Sequence, residues 1–285
     1  MRLRLIVLAG LAALAMASCG KKDKAAPSGG SSAASAVTDA SPLDSAFKLA
    51  GGAKIDVDAL FALLPEDDRP TYQSVAFDDK TGATVVTDLR FADNGGSGGL
   101  TIERAEFYGV DMEAIERVKA GTPAVDATFE KVFEKVRLFG LKPETSEDGS
   151  LMTIAAVELD RLSVRHGGFP KEDGKSGGAR FFNAFSLGGL YFKDLVVARA
   201  DDTSGAMGMM APDLRFVGIG GGKLDALIAK DFEYSMEQTE ASRALMAQAM
   251  GPAGGLFMSG PLQAVLSPDK QQTKIKSFEW RSIDF

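Results

Sequence analysis

The chain has 285 residues, 45% of them apolar, enough for one sizeable core near the upper end of ordinary single domains. Its 39 Asp and Glu outnumber 32 Lys and Arg, for a formal net charge of −7. That balance argues against nucleic acid as a partner, because phosphate backbones call for a clustered positive surface, and the one basic cluster, Lys21-Lys22-Asp23-Lys24, lies near the N-terminus.

In chain order, Arg2 and Arg4 precede an apolar run from Leu5 to Met16, and the small residues Ala17 and Ser18 precede Cys19, the only cysteine. This is the order of a secretory signal. The run is too short to cross a bilayer, which takes roughly 20 apolar residues. Residues 16–19, Met-Ala-Ser-Cys, resemble the lipobox of bacterial lipoproteins, whose cysteine is acylated and becomes the new N-terminus after cleavage. The resemblance implies a signal peptide over residues 1–18 and lipidation of Cys19. Because Gly20 rather than Asp follows, it also implies a periplasm-facing, lipid-anchored place at the outer membrane. A plain signal peptide with an incidental cysteine is the alternative. A lone thiol in an exported chain is a reactive liability, and acylation accounts for it. Several acyl chains, at about 0.8 kcal/mol per buried CH₂, hold a protein firmly to a membrane, and the neighbouring lysines suit anionic headgroups.

Residues 19–46 are rich in Gly, Ser and Ala and read as a flexible tether, leaving residues 47–285 as a single folded body. Asp56 caps a helical stretch with Val57, Leu60, Phe61 and Leu64 on one face, and Asp111 caps another with Met112, Ile115 and Val118. Val125, Phe129, Val132, Phe133 and Val136 follow helical spacing and predict a third helix, running into a strand at 136–141; a fourth is predicted at 240–250. Writing φ for an apolar residue, the form φxxφxφxxφ recurs at 101–110, 153–162, 186–195 and 274–283, with a shortened version at 71–80. The spacing is too uneven for a leucine-rich solenoid. The central residues alternate, with Ala105 and Phe107 inward around an outward Glu106, and Val157 and Leu159 around an outward Glu158, as in a sheet with one wet face. The predicted fold is α+β: a curved, mainly antiparallel sheet with several short amphipathic helices packed on one side.

The segments "ATVVTDLRF" (83–91), "LTIERAEFYGVD" (100–111) and "LGGLYFKDLVVARAD" (187–201) share a hydrophobic rhythm. Over residues 70–285 it resembles that of the AsmA-like and YdgA-like envelope proteins. The resemblance implies long antiparallel sheets and, as for some members, the binding or movement of lipid. Those families are typically held by a transmembrane helix, and the likeness carries no functional residue over.

No constellation points to catalysis. "GIGGGK" (218–223) lacks the first glycine and the final Ser or Thr of a phosphate loop and reads as a glycine-rich turn. His166, the only histidine, sits in a loop-like "RHGGFP" with no cysteine or GxSxG serine to serve. The acidic pairs Asp67-Asp68, Asp78-Asp79 and Asp201-Asp202 fall at turns. The methionines suit adaptable apolar contact better than a copper site. The expectation is therefore a non-enzymatic lipoprotein with no metal or cofactor, binding a lipid or other hydrophobic envelope molecule in an apolar groove. Phe181, Phe182, Phe185, Met207, Met209, Met210, Met246 and Met250 are the candidate lining. The alternative is a scaffold lipoprotein that docks another envelope protein through its sheet.

Overall fold

A computed structural model describes residues 41–62, 64, 66, 69–92, 99–120, 129–143, 151–165, 185–201, 205–221, 223–237 and 270–284. A 3-10 turn at Pro42–Asp44 is followed by helix α1 (Val57–Ala62), strands β1 (Ser74–Asp78), β2 (Ala83–Phe91) and β3 (Leu100–Tyr108), and helix α2 (Met112–Ala120). Six long strands follow among the described residues: β4 (Phe129–Pro143), β5 (Leu151–Arg165), β6 (Phe185–Asp201), β7 (Gly205–Gly220), β8 (Lys223–Glu237) and β9 (Lys270–Asp284). All nine strands form one sheet in sequence order, each antiparallel to its neighbours. At about 3.3 Å per residue, the long strands extend roughly 50 Å.

The α+β expectation is overturned: the described residues form an almost wholly antiparallel sheet with two helices. Both helices start at their predicted caps, Asp56 accepting from the Ala59 amide at 3.0 Å and Asp111 from the Ala114 amide at 2.8 Å. From residue 129 on, the predicted third helix is instead the first half of β4, while its start, with Val125, and the predicted helix at 240–250 lie outside the described residues.

The misreading of β4 has a geometric cause that also explains the recurring decapeptide. Two rows of left-handed residues cross the sheet. In the first, Asp88, Gly140, Asp194 and Asp231 of β2, β4, β6 and β8 have φ between +49° and +63°. In the second, at the end of β3 and within β5, β7 and β9, Gly109, Arg161, Gly218 and Ser282 have φ between +47° and +63°. The register runs unbroken past the first row: Thr87 pairs with Arg104 and Leu89 with Ile102, so Asp88 stands opposite Glu103 of β3. Gly140 stands opposite the same residue on its other side, where a Cβ would run into the Glu103 carboxylate. Each left-handed residue thus faces an ordinary extended one, alternating from strand to strand.

Such a residue re-aims the side chains that follow, as a bulge does. Positions three apart then share a face wherever a strand crosses a row, as with Ile102 and Ala105, Leu138 and Leu141, or Ile154 and Val157, all buried. Between the rows the ordinary two-residue alternation holds. The sequence φxxφxφxxφ is therefore one strand crossing both rows. In β4 the i, i+3 step from Phe133 to Val136 imitates helical spacing, whereas the step from Leu138 to Leu141 falls in the stretch predicted as strand, and the β-branched and aromatic content favours the strand throughout.

Helix α1 adds Val57 and Phe61 to the apolar cluster of the sheet, and Ile115 of α2 packs against it. Residues 41–46, assigned to the tether by composition, belong to the folded body. Pro42 accepts a hydrogen bond from Arg137 Nη2 at 3.2 Å, and Asp44 pairs with Lys193 at 2.6 Å.

Candidate functional site

One face of the sheet is apolar along register. Val86, Ala105, Leu138, Val157, Phe192, Leu214, Ala229 and Phe278 form a line in which each residue is the direct cross-strand partner of the next. A second line runs Phe107, Val136, Leu159, Leu190, Phe216, Leu227, Trp280. The first line is buried as far as Ala229. Toward β9 the cover thins: Phe278 is half-buried, and Trp280 is 61% exposed although its ring lies 5.4 Å from that of Phe278. Aligned cross-strand apolar pairs are the stabilising unit of a sheet, and here they make an uninterrupted apolar face that opens to solvent toward β9.

The four predicted groove residues that lie among the described residues, Phe185, Met207, Met209 and Met210, do not all converge. Phe185 is buried and pairs with Val164 near one end of β6, whereas Met207 pairs with Arg199 near the other, roughly 45 Å along the strand. Met209 packs against the core on the apolar face, where Met207, 40% exposed, pairs with Met236. Met210, 38% exposed, alternates to the opposite face. No single pocket of ordinary ligand size reaches both Phe185 and these methionines. Two shallow depressions, of about 390 Å³ beside Lys54 to Asp58 and about 440 Å³ beside Arg161, Ser186 and Lys223, touch none of them. Cys19, Phe181, Phe182, Met246 and Met250 lie outside the described residues, as does His166.

The opposite face carries charge in the same register. Glu106 pairs with Arg137, Arg137 with Glu158, Glu158 with Tyr191, and Tyr191 with Arg215. Glu106 and Glu158 do point away from the apolar face, but they are 5% and 0% exposed, which corrects their reading as outward, wet positions. The cause is the segment from Ser41 to Phe47, which lies over them. Phe47 meets Tyr108 edge-on at 4.9 Å, and the Lys135 ammonium sits 4.6 Å from the Phe47 ring.

Beneath that cover Glu158 accepts from both Lys135 and Arg137 Nε, the latter at 2.6 Å, and Lys135 also reaches Asp160 at 3.3 Å. Tyr108 donates to Glu106 Oε2 at 2.9 Å, and Arg104 pairs with the other oxygen of that carboxylate. Arg215, 1% exposed, grips Asp213 through Nε at 2.8 Å and Nη2 at 2.5 Å. Its hydrogen bond to Asp213 holds the guanidinium above its ordinary range, and the Lys193 hydrogen bond holds Asp44 below the ordinary carboxylate range. Burial, helped by the Asp160 and Glu158 charges, pushes the Tyr191 phenol up to about 12. Charges matched and hydrogen-bonded in this way satisfy one another beneath the cover.

A sequence signal for this ladder existed. Glu106, Arg137, Glu158, Tyr191 and Arg215 each occupy the middle of a φxφ triplet, the one position flanked on both sides by core residues. Among the described residues no three His, Cys, Asp or Glu side chains gather as a metal site. No family model, no curated protein and no solved structure matches the chain.

Proposed function

We propose that this chain is a non-enzymatic, lipid-anchored protein of the cell envelope, held by Cys19 at the periplasmic side of the outer membrane, and that it carries a lipid or other hydrophobic envelope molecule against the apolar face of its sheet. The observation that supports the reading is the pair of register-aligned apolar lines, one starting in β2 and one in β3, that both reach β9, where the cover thins to a half-buried Phe278 and an exposed Trp280. A surface of that kind suits an acyl chain better than a compact ligand. It extends in two directions and its polar groups are engaged in the ladders. The hydrophobic rhythm shared with AsmA-like and YdgA-like proteins points the same way.

Trp280 is the only tryptophan, so its fluorescence reports on the rim of that face alone. Full-length protein in detergent micelles, titrated with a brominated fatty acid, should show saturable quenching of Trp280 that a non-brominated fatty acid competes away. Quenching that merely follows bromine content without saturating, or none at all, defeats the lipid reading.

A further inference from the structure

Among the described residues β9 pairs with β8 on one side and with no strand on the other. What its outer side demands of a partner follows from the kink rows. Inside the sheet an extended residue in a row is flanked on both sides by left-handed ones, as Glu103 is by Asp88 and Gly140. On β9 the left-handed residue is Ser282, and the extended residue facing Asp231 is Lys276. A strand that continues the sheet must therefore set a left-handed residue opposite Lys276 and an extended one opposite Ser282. β9 itself, reversed about a two-fold axis through Glu279, does both: Lys276 of each copy falls opposite Ser282 of the other.

The same register satisfies the side chains. Phe278 falls opposite Trp280 and Ile275 opposite Ile283, so the apolar lines run on unbroken and the exposed Trp280 gains an aromatic cross-strand partner. Lys274 falls opposite Asp284 at both ends. At the axis the two Glu279 carboxylates meet, but each is held by its own Arg281 at 2.7 Å, and each lies diagonal to Arg281 of the second copy. Edge lysines discourage indiscriminate strand pairing, so the register is left to the kink rows and the apolar lines. β1, with five residues, is too short to serve the same edge.

We propose that two copies of this chain join edge to edge through β9, antiparallel, about a two-fold axis at Glu279, making one continuous sheet. The proposal does not depend on what the apolar face carries.

The axis makes a specific disulfide test possible. Directly opposed residues of an antiparallel pair lie about 4.5–5.5 Å apart at Cα, within disulfide reach, and only a residue on the axis opposes itself. Full-length Glu279→Cys, oxidised mildly in envelope membranes, should give a crosslinked dimer, while Ser277→Cys and Arg281→Cys, with the same Cys19 background, should not. Light scattering of the wild-type chain in detergent, corrected for bound detergent, should return twice the monomer mass. Trp280→Lys should return the monomer mass with an unchanged circular dichroism spectrum. A monomeric wild type, a crosslink at 277 or 281 in place of 279, or no crosslink at 279 overturns the proposal. If Trp280→Lys fails to fold, the crosslinks and the wild-type mass still decide it.

Discussion

Glu158 shows how much a single buried charge is asked to hold. It is fully buried between Lys135 and Arg137, so Glu158→Gln takes this carboxylate from the buried Arg137 guanidinium and leaves Lys135 with Asp160. Breaking a buried pair from one side costs about 3–5 kcal/mol, and that loss should appear in the urea midpoint. By contrast Glu103, whose bond to Lys142 is exposed, should lose only about 0–1 kcal/mol as Glu103→Gln. Tyr191 offers a pH-dependent counterpart. Its folded value of about 12 lies above the ordinary 10, so the unfolded chain releases the proton first. Its contribution to stability is therefore fully present below pH 10 and is lost as pH rises through about 12. An absorbance titration of phenolate at alkaline pH should show a late step that Tyr191→Phe removes.

For each strand, what matters is where it crosses the two kink rows. Asp88, Asp194 and Asp231 occupy left-handed backbone that glycine adopts freely, that aspartate tolerates better than most residues, and that β-branched residues adopt at a cost of about 1–2 kcal/mol. If conformation is the requirement, Asp231→Gly should stay within about 1 kcal/mol of wild type while Asp231→Val loses about 1–2 kcal/mol or more. Urea unfolding of the two variants separates this from a role for the carboxylate, in which case both would fall alike. The same geometry decided which elements were legible. The decapeptide rhythm located β3, β5, β6 and β9 correctly because its apolar positions are the core positions. In β4 the i, i+3 step from Phe133 to Val136 predicts a helix turn where the strand in fact crosses the second row, since one strand by itself does not show whether a three-residue step comes from helix pitch or from a kink.

Across the whole molecule, the core is a face rather than a centre. Phe192 stands mid-sheet in the first apolar line and is 1% exposed, so Phe192→Ala should cost about 3–5 kcal/mol. Trp280→Ala, at the thin rim, should cost clearly less, its loss confined to the Phe278 ring contact and the β9 edge. The difference in urea midpoint between the two variants measures how sharply cover falls off toward β9. Attachment belongs to this scale as well. Fractionation of cells expressing wild type and Cys19→Ala should move the protein from membranes to the soluble periplasm, and equal solubility of both would remove the lipid anchor.

From sequence alone the order of a signal, a lipobox-like cysteine and a polar stretch could be read, because such marks are local and linear. So could the caps of both helices, where one aspartate meets the amide three residues on, and the strands whose apolar pattern is repeated. What needed the tertiary structure was everything set by register between strands. That Glu106 and Glu158 are buried depends on residues 41–47 folding back across the sheet, a contact between segments some 60 to 110 residues apart. That Phe185 and the methionines near 207 stand far apart depends on where each pairs along β6. Composition marked both as apolar, but distance within a sheet is decided by hydrogen-bonded register, which no single strand records.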